Sequence, residues 1–176
     1  MRLFGGAFLA MVVMGSWEVL GFVRAQHTWV HFRDQGIVKQ RHDFSCGAAS
    51  VATILTHYYG DHTDESDILI DIQKKGASSF LDLKVVIEKR GYKAIGLGMS
   101  WQGLLELKIP VIVHLNYKGQ DHFSVIKKID ARHVYLADPS WGNRKLSHGR
   151  FKKIFHTRSD PTYVGAILIV FHRDAV

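Results

Sequence analysis

The apolar residues of this chain change their spacing at Pro110, and that change limits the available folds more than any other feature. Before Pro110, apolar positions recur every three to four residues in segments that begin at Ser or Asp and end at Gly, which is typical of helices packed on one side. After it, runs of β-branched and aromatic residues are separated by turn-forming sequences, as in strands. Helices followed by a segregated antiparallel sheet indicate an α+β fold.

The elements follow from this pattern and from the residues that begin and end them. Helices are predicted from Ser45 to about Gly60, from Asp64 through Ile72 to a close at Lys74, Lys75 and Gly76, and from Phe80 to Arg90. The last is predicted with Leu81, Val85, Val86 and Ile87 facing inward. Residues 26–39 are predicted to be an extended lead-in. Strands are predicted at 92–97, 111–115, 123–126, 133–137 and 163–171, with a helical turn at 101–107 and a helix in the basic segment 147–155.

The N-terminus has the order of a secretory signal peptide. Arg2 precedes an apolar run from Leu3 to Gly15, and Val23-Arg24-Ala25 places small residues at positions −3 and −1 of a cleavage site. We therefore predict a signal peptide at 1–25, a single domain at 26–176, and a periplasmic or secreted protein without a stable membrane span after cleavage. The alternative is an uncleaved signal that anchors the domain to the membrane, with the apolar stretch reaching Phe22 despite Glu18.

Composition adds little to the choice of function. The 176 residues are long enough to bury a core, and the formal net charge of +7 comes from short, scattered clusters of lysine and arginine. These clusters have no regular aromatic residues between them, so a solvated basic face is favoured over nucleic-acid binding.

One stretch, Gln40 to Ala49, carries the chemistry. It holds Cys46, the single cysteine of the sequence, where a turn runs into a predicted helix, and Ser45 is placed to cap that helix. The N–H groups at a helix N-terminus favour thiolate over thiol, the small residues after Cys46 leave room for a substrate backbone, and the Gln40 amide can point at an oxyanion. The alternative is a buried structural cysteine. A single thiol in an exported protein cannot form an internal disulfide, which favours the functional interpretation.

A thiol nucleophile needs an imidazole and a group that orients it, and two predicted strands offer both. His122 begins one strand, and Asp138 ends the next. A tight hairpin around residues 130 and 131 places residue 122 opposite 139, and one residue more or less in the loop places it nearer 138 or 140. Either residue alone is also explained as a strand end or a turn signal.

Three motifs of this sequence together resemble those of the bacteriocin-processing cysteine peptidases. These peptidases are papain-like domains at the N-terminus of ABC exporters, and they cut leader peptides after a double glycine. Their residues here are Gln40 with Asp43-Phe44-Ser45-Cys46-Gly47-Ala48-Ala49, then Asp121-His122-Phe123-Ser124-Val125-Ile126, then Asp138-Pro139 with Gly142. The resemblance implies a papain-like fold without metal or organic cofactor. It also implies roles for four residues. Cys46 is the nucleophile, His122 the general base and acid, Asp138 the carboxylate that orients the His122 ring, and Gln40 the hydrogen-bond donor of the oxyanion hole.

The resemblance also implies a peptide or protein substrate, processed with a secretion or envelope partner. Two departures from the family pattern limit it. The sequence predicts a stand-alone exported member without the ABC exporter, so the double-glycine specificity is not carried over. Ser45 stands directly before the cysteine, where exporter-linked members often have an acidic residue.

Other interpretations stay open. His27/His31 and His57/His62 could each supply half of a metal site, although no Cys, Asp or Glu set completes either pair. A non-catalytic papain-like module that binds a peptide is the main alternative function, and it would not need the cysteine. Acyl transfer or hydrolysis of a non-peptide amide would use the same nucleophile and oxyanion hole. Trp101, Trp141 and Tyr117 are candidates for substrate contact, with core or sheet packing as the alternative.

Overall fold

The computed structural model describes residues 28–74 and 76–172. The predicted signal peptide at 1–25 and its cleavage site lie outside these residues. Within the described part of the chain, none of the helices combines the length and apolar character that crossing a membrane requires.

Six helices and six strands make up the described part of the chain. The helices are α1 (Trp29–Asp34), α2 (Cys46–Tyr58), α3 (Glu65–Ile72), α4 (Phe80–Lys89), α5 (Trp101–Glu106) and α6 (His148–Phe155). The strands are β1 (Lys93–Met99), β2 (Val111–Tyr117), β3 (Gln120–Ile129), β4 (His133–Asp138), β5 (Gly142–Ser147) and β6 (Gly165–Phe171). They form one antiparallel sheet in the order β1-β6-β2-β3-β4-β5. The α+β prediction is therefore confirmed.

The sheet separates two apolar clusters, because successive residues of a strand face opposite sides. On one side, α2, α3 and α4 contribute residues such as Leu55, Ile68 and Leu83 to a cluster that includes Val125 of β3. On the other side, α5 and α6 contribute residues such as Leu104 and Phe151, and Ile126 of β3 belongs to this second cluster. The strand alternation therefore decides which helix layer each β3 side chain meets.

The inward face predicted for α4 is partly wrong. Leu81 and Val85 are 69% and 56% exposed, whereas Leu83 is completely buried beside Val86 and Ile87. The spacing of apolar residues on α4 is compatible with two neighbouring stripes, and packing against α3 and the sheet selects the one that contains Leu83.

The small residues after Cys46 also serve a different purpose from the one predicted. Ala48 and Ala49 are fully buried. A Cβ added to Gly47 would lie 3.1 Å from carbons of Leu83 and Phe123. Their size thus lets α2 approach α4 and β3 closely, instead of leaving room for a substrate backbone.

The lead-in segment contains a helix that the sequence analysis missed. Thr28 caps α1, and α1 packs against β5, a strand that was also missed. The Asn143 side chain donates hydrogen bonds to the backbone oxygens of Gln35 (2.8 Å) and Phe32 (3.3 Å). At Gly142, which has φ +85°, an added Cβ would lie 2.6 Å from Arg33 and Asp34 side-chain atoms. Gly142 therefore both forms the turn and admits α1.

Gly165 provides a test of how tightly the second cluster is packed. We expect Gly165→Ala to lower the free energy of unfolding by about 1–3 kcal/mol, because its Cβ would collide with the fully buried ring of Phe155. Gly149→Ala in α6 is the control: its Cβ would meet nothing within 4 Å, and alanine should stabilise that helix by about 0.5–1 kcal/mol. Urea unfolding of both variants measures the difference, and equal stabilities would contradict the packing at Gly165.

Candidate active site

Cys46 is the first residue of α2, as predicted, and lies where this helix meets β3. Its side chain is buried, and its Sγ accepts a hydrogen bond from the backbone N–H of Phe123 at 3.4 Å. Ser45 occupies the N-cap position without capping the helix: its hydroxyl donates to the backbone oxygen of His42 at 2.7 Å. Ser45 thus closes the turn before the helix and fixes the direction from which Cys46 enters the site.

His122 and Asp138 lie close together on neighbouring strands, as the sequence predicted. Both carboxylate oxygens of Asp138 lie 3.2 Å from His122 Nε2. Val125 pairs with Ala137, so continuing the ladder puts residue 122 opposite residue 140, one of the predicted alternatives, with Asp138 as its diagonal neighbour. Asp138 is completely buried, and its Oδ1 also accepts hydrogen bonds from the backbone N–H groups of Ser140 (3.0 Å) and Trp141 (3.1 Å).

The charges of this pair favour the imidazolium form. Burial by itself would lower the pKa of His122, but hydrogen bonds and charge attraction from Asp138 and Cys46 outweigh it and raise this pKa to about 9. Burial would likewise raise the pKa of Asp138, yet its bonds to His122 and to two backbone N–H groups keep that pKa below its usual value. Because Nε2 faces Asp138, Nδ1 is the ring nitrogen left to interact with the thiol.

Gln40 is held next to this group by both neighbouring loops. Its side-chain N–H donates to the backbone oxygen of His42 at 2.9 Å, and its side-chain oxygen accepts from the Ser140 hydroxyl at 2.7 Å. Its backbone N–H also donates to Pro139 at 3.2 Å. A primary amide carries two N–H groups, so the second is left to donate to a ligand.

Two cavities lie on either side of the Cys46–His122 contact. One, of about 400 Å³, is more apolar than polar and is lined by Phe44, Cys46, Lys74, Ala77, Ser78, Ser79, Phe80, His114, Asp121 and Phe123. The other, of about 490 Å³, is more polar and is lined by Gln40, Asp43, Tyr117, Gln120, Asp121, His122, Ser140 and Trp141. A chain that crosses between them would pass the thiol, an arrangement that suits an extended peptide.

Of the three aromatic residues considered for substrate contact, two lie at this site. Tyr117 and Trp141 line the polar cavity, whereas Trp101 packs on α6 against His148 and Phe151. Arg144 of β5 contacts both Tyr117 and Trp141, and sequence reasoning missed it. The only sequence signal for Arg144 is its position two residues after Gly142, which means little until β5 is known to exist.

The metal-site alternative gains no support from the geometry. Within residues 28–74 and 76–172, no group of three or more His, Cys, Asp or Glu side chains is placed to hold a metal ion. His57 and His62 are in this range, whereas His27 of the other pair lies outside the described residues.

A thiol at the start of a buried helix, next to an imidazole on an antiparallel sheet, defines the class of papain-like cysteine peptidases. The chain belongs to the peptidase C39 family, which matches residues 34–159. It is 36% identical over 127 residues to the "Probable functional amyloid protease FapD" of Pseudomonas fluorescens, covering 68% of this chain and 56% of that protein. The chain therefore spans little more than half the length of this relative.

Solved structures agree with the family assignment. The peptidase domain of Streptococcus ComA, a bifunctional ABC transporter involved in quorum sensing, has the same fold: the TM-score is 0.66 at 20% identity, over 77% of this chain and 97% of that one. A double-glycine-motif protease from an AMS/PCAT transporter, solved in complex with its leader peptide, gives a TM-score of 0.63 at 25% identity. That match covers 77% of this chain and 90% of that one. The fold predicted from the resemblance is thus confirmed.

Proposed function

We propose that this cysteine peptidase hydrolyses peptide bonds through an acyl-enzyme on Cys46, with His122 and Asp138 completing a catalytic triad and Gln40 donating to the oxyanion. The observation that supports it most directly is the line of contacts from the Cys46 thiol through the His122 ring to the buried Asp138 carboxylate. The raised pKa of His122, about 9, keeps the imidazole protonated at neutral pH, as a leaving amine requires.

The reaction divides into two steps. The Cys46 thiolate attacks the scissile carbonyl carbon, and the resulting oxyanion accepts hydrogen bonds from the Gln40 amide and from the Cys46 backbone N–H at the start of α2. The imidazolium of His122 gives its proton to the leaving nitrogen as the C–N bond breaks. Neutral His122 then takes a proton from water, whose oxygen attacks the thioester; the C–S bond breaks, and the acid product leaves with thiolate and imidazolium restored.

The substrate is an extended peptide segment of an exported peptide or protein. The two cavities beside the thiol support this, as do a relative called a functional amyloid protease and a structural neighbour solved with a leader peptide. Periplasmic or secreted location behind the signal peptide at 1–25, and work with a secretion or envelope partner, belong to the same proposal.

The test is to detect the acyl-enzyme and its hydrolysis. Purified protein with reductant is incubated with a peptide mixture, the cleavage sites are read by mass spectrometry, and quenched samples are examined for an acyl adduct on Cys46. Cleavage in H₂¹⁸O should put one ¹⁸O atom into each new carboxyl group. Products without ¹⁸O, in which an added amine has joined the acyl group, would indicate acyl transfer. A folded protein whose thiol is alkylated only after denaturation would contradict the proposal and favour the peptide-binding module.

Gln40 offers a separate test of the oxyanion hole. We expect Gln40→Glu to lower kcat by about 10²- to 10³-fold with a smaller change in KM, because a carboxylate cannot donate to the oxyanion and repels it. The control is Gln120→Glu, which adds the same charge to the same cavity from the β2–β3 hairpin. If both variants lose kcat equally, the effect comes from charge in the cavity and not from a lost donor.

A further inference from the structure

Arg144 of β5 lies beside Asp138 and contacts three residues of the site. Its Nη1 donates a hydrogen bond to the Tyr117 hydroxyl at 2.9 Å and lies 3.9 Å from Asp138 Oδ2. Its guanidinium carbon lies 4.5 Å from the centre of the Trp141 ring and 5.6 Å from that of Tyr117. A planar guanidinium can donate at its edge and stack through its face at once, which lysine cannot do.

The two aromatic rings in turn enclose His122. Tyr117 and Trp141 meet edge to face, with ring centres 5.0 Å apart, and each ring centre is 5.8 Å from that of His122. The His122 side chain is only 11% exposed, although Trp141 itself is half exposed. Trp141 therefore stands between solvent and the imidazole, and the Arg144 guanidinium lies against the Trp141 ring.

We propose that Arg144 is a positioning residue: it holds Tyr117 and Trp141 against the His122 ring and so keeps water away from the imidazole–carboxylate pair. This inference rests on the proposed function of that pair. A charge pair that is open to water contributes little, whereas the same pair attracts more strongly where water is excluded. Loss of Arg144 would leave all catalytic groups in place but let the two rings move and water enter.

The charge of Arg144 acts on His122 in the opposite direction to its shielding. A cation near Asp138 repels the imidazolium, so removing the charge alone would make His122 hold its proton more tightly. Entry of water would weaken both influences on the His122 pKa, the desolvation that lowers it and the bonds to Asp138 and Cys46 that raise it. Because the raising influences are the larger in the folded protein, this pKa would move from about 9 back toward its ordinary value of 6.5. The titratable or charged side chains that face His122 are Cys46 of α2, Tyr117 of β2, Asp138 of β4, Arg144 of β5, and Asp43 and Asp121 across the polar cavity. All but Arg144 are unchanged in the variants below, so the direction of the shift separates shielding from charge.

The probe uses the single thiol of the full chain and needs no peptide substrate. Iodoacetate and iodoacetamide both react with thiolate, but only the anionic iodoacetate is attracted by an imidazolium. The ratio of their rates at Cys46 therefore falls as His122 loses its proton, with a midpoint expected near pH 9 in the wild type. Thermal unfolding of each variant is recorded alongside, to exclude loss of the fold.

For Arg144→Met we expect this midpoint to move to lower pH and, with a cleavable peptide, kcat to fall about tenfold while KM stays within about twofold. Arg144→Lys keeps the cation without its planar fork, so its midpoint should also fall, by less. The control is Lys145→Met, the next residue of β5, which points to the other face and lies over Tyr135 at 5.5 Å; its midpoint should equal the wild type.

Two results would overturn the inference. A midpoint for Arg144→Met at or above the wild-type value would show that the rings shield His122 without Arg144, and the proposed catalytic pair would stand. The second result is a wild-type ratio of iodoacetate to iodoacetamide rates that does not change with pH and that His122→Ala leaves unaltered. It would show that no imidazolium lies near the thiol. That second result would overturn the proposed function and this inference together.

Discussion

His122→Ala is expected to lower kcat/KM for peptide cleavage by about 10⁴-fold or more, because in the proposed mechanism this one side chain supplies the proton for the leaving amine and then accepts one from water. The same change should abolish the preference of Cys46 for iodoacetate over iodoacetamide at pH 7. His133→Ala is a suitable control, since His133 starts β4 at the opposite end of the strand from Asp138 and is a partner of Asp130 at 3.7 Å. A loss below about tenfold in His122→Ala would assign the base to another group.

The pH dependence of the wild type follows from the direction of the His122 shift. Because its pKa in the folded protein, about 9, lies above the ordinary value of 6.5, the imidazolium persists through neutral pH and is lost as pH rises through 9. The basic limb of kcat/KM is therefore expected near pH 9. A basic limb near 6.5 would mean that Asp138 and Cys46 do not hold the proton on His122.

Asp138→Asn is expected to lower kcat by about 10²- to 10⁴-fold while leaving the fold intact. The amide oxygen of asparagine can still accept from the backbone N–H groups of Ser140 and Trp141, which both reach Oδ1 in the wild type. Its NH₂ group would then face His122 Nε2, which can accept that bond only without its own proton. The variant thus selects the wrong tautomer and removes the charge that stabilises the imidazolium.

Two measurements check this expectation for Asp138→Asn: kcat for peptide cleavage, and the pH midpoint of the alkylation-rate ratio at Cys46. The midpoint of the iodoacetate-to-iodoacetamide ratio should fall below 9, because the contribution of Asp138 that raises the His122 pKa is lost while the lowering by burial stays. Asp130→Asn serves as the matched control, since Asp130 accepts backbone hydrogen bonds from Arg132 and His133 at the other end of β4. Unchanged kcat and an unchanged midpoint in Asp138→Asn would contradict the orienting role.

What the sequence could predict depended on whether a residue's place is set locally. The position of Cys46 follows from the local start of a helix, and the predicted helix matches α2 closely. The proximity of His122 and Asp138 followed from hairpin geometry, but the pairing register predicted for a tight hairpin between β3 and β4 was wrong. Ile129 pairs with Val134 instead of residue 132, and an irregularity between Ile126 and Lys128 shifts the ladder again. Neither a loop length nor a bulge at Lys127 has a reliable sequence signal.

The missed elements were missed for physical reasons. The sequence of β5, Gly-Asn-Arg-Lys-Leu-Ser, has one large apolar residue and no β-branched residue, so it carries no strand pattern. This edge strand forms mainly because its backbone pairs with β4. Without β5, Arg144 could not be placed near Asp138. The α1 helix has six residues and no buried side chain, so periodicity could not reveal it. The exposed Leu81 shows what the spacing of apolar residues cannot predict. Spacing identifies the apolar faces that a helix could bury, and tertiary packing determines which of them is buried.

The contact of α1 with Gly142 and Asn143 joins the segment before Gln40 to the loop that follows Asp138. Asn143 donates to backbone oxygens at the C-terminal half and end of α1, Lys39 donates to Ser140, and Gln40 donates to Pro139, so residues 32–40 brace the loop that follows Asp138 at several points. The predicted cleavage site after Ala25 lies only a few residues before Thr28, which caps α1. Removing residues beyond this cap would therefore take away contacts that hold the loop after Asp138, and the distance between His122 and Asp138 would be less well fixed. The N-terminal boundary of the purified protein is therefore expected to affect the proposed activity.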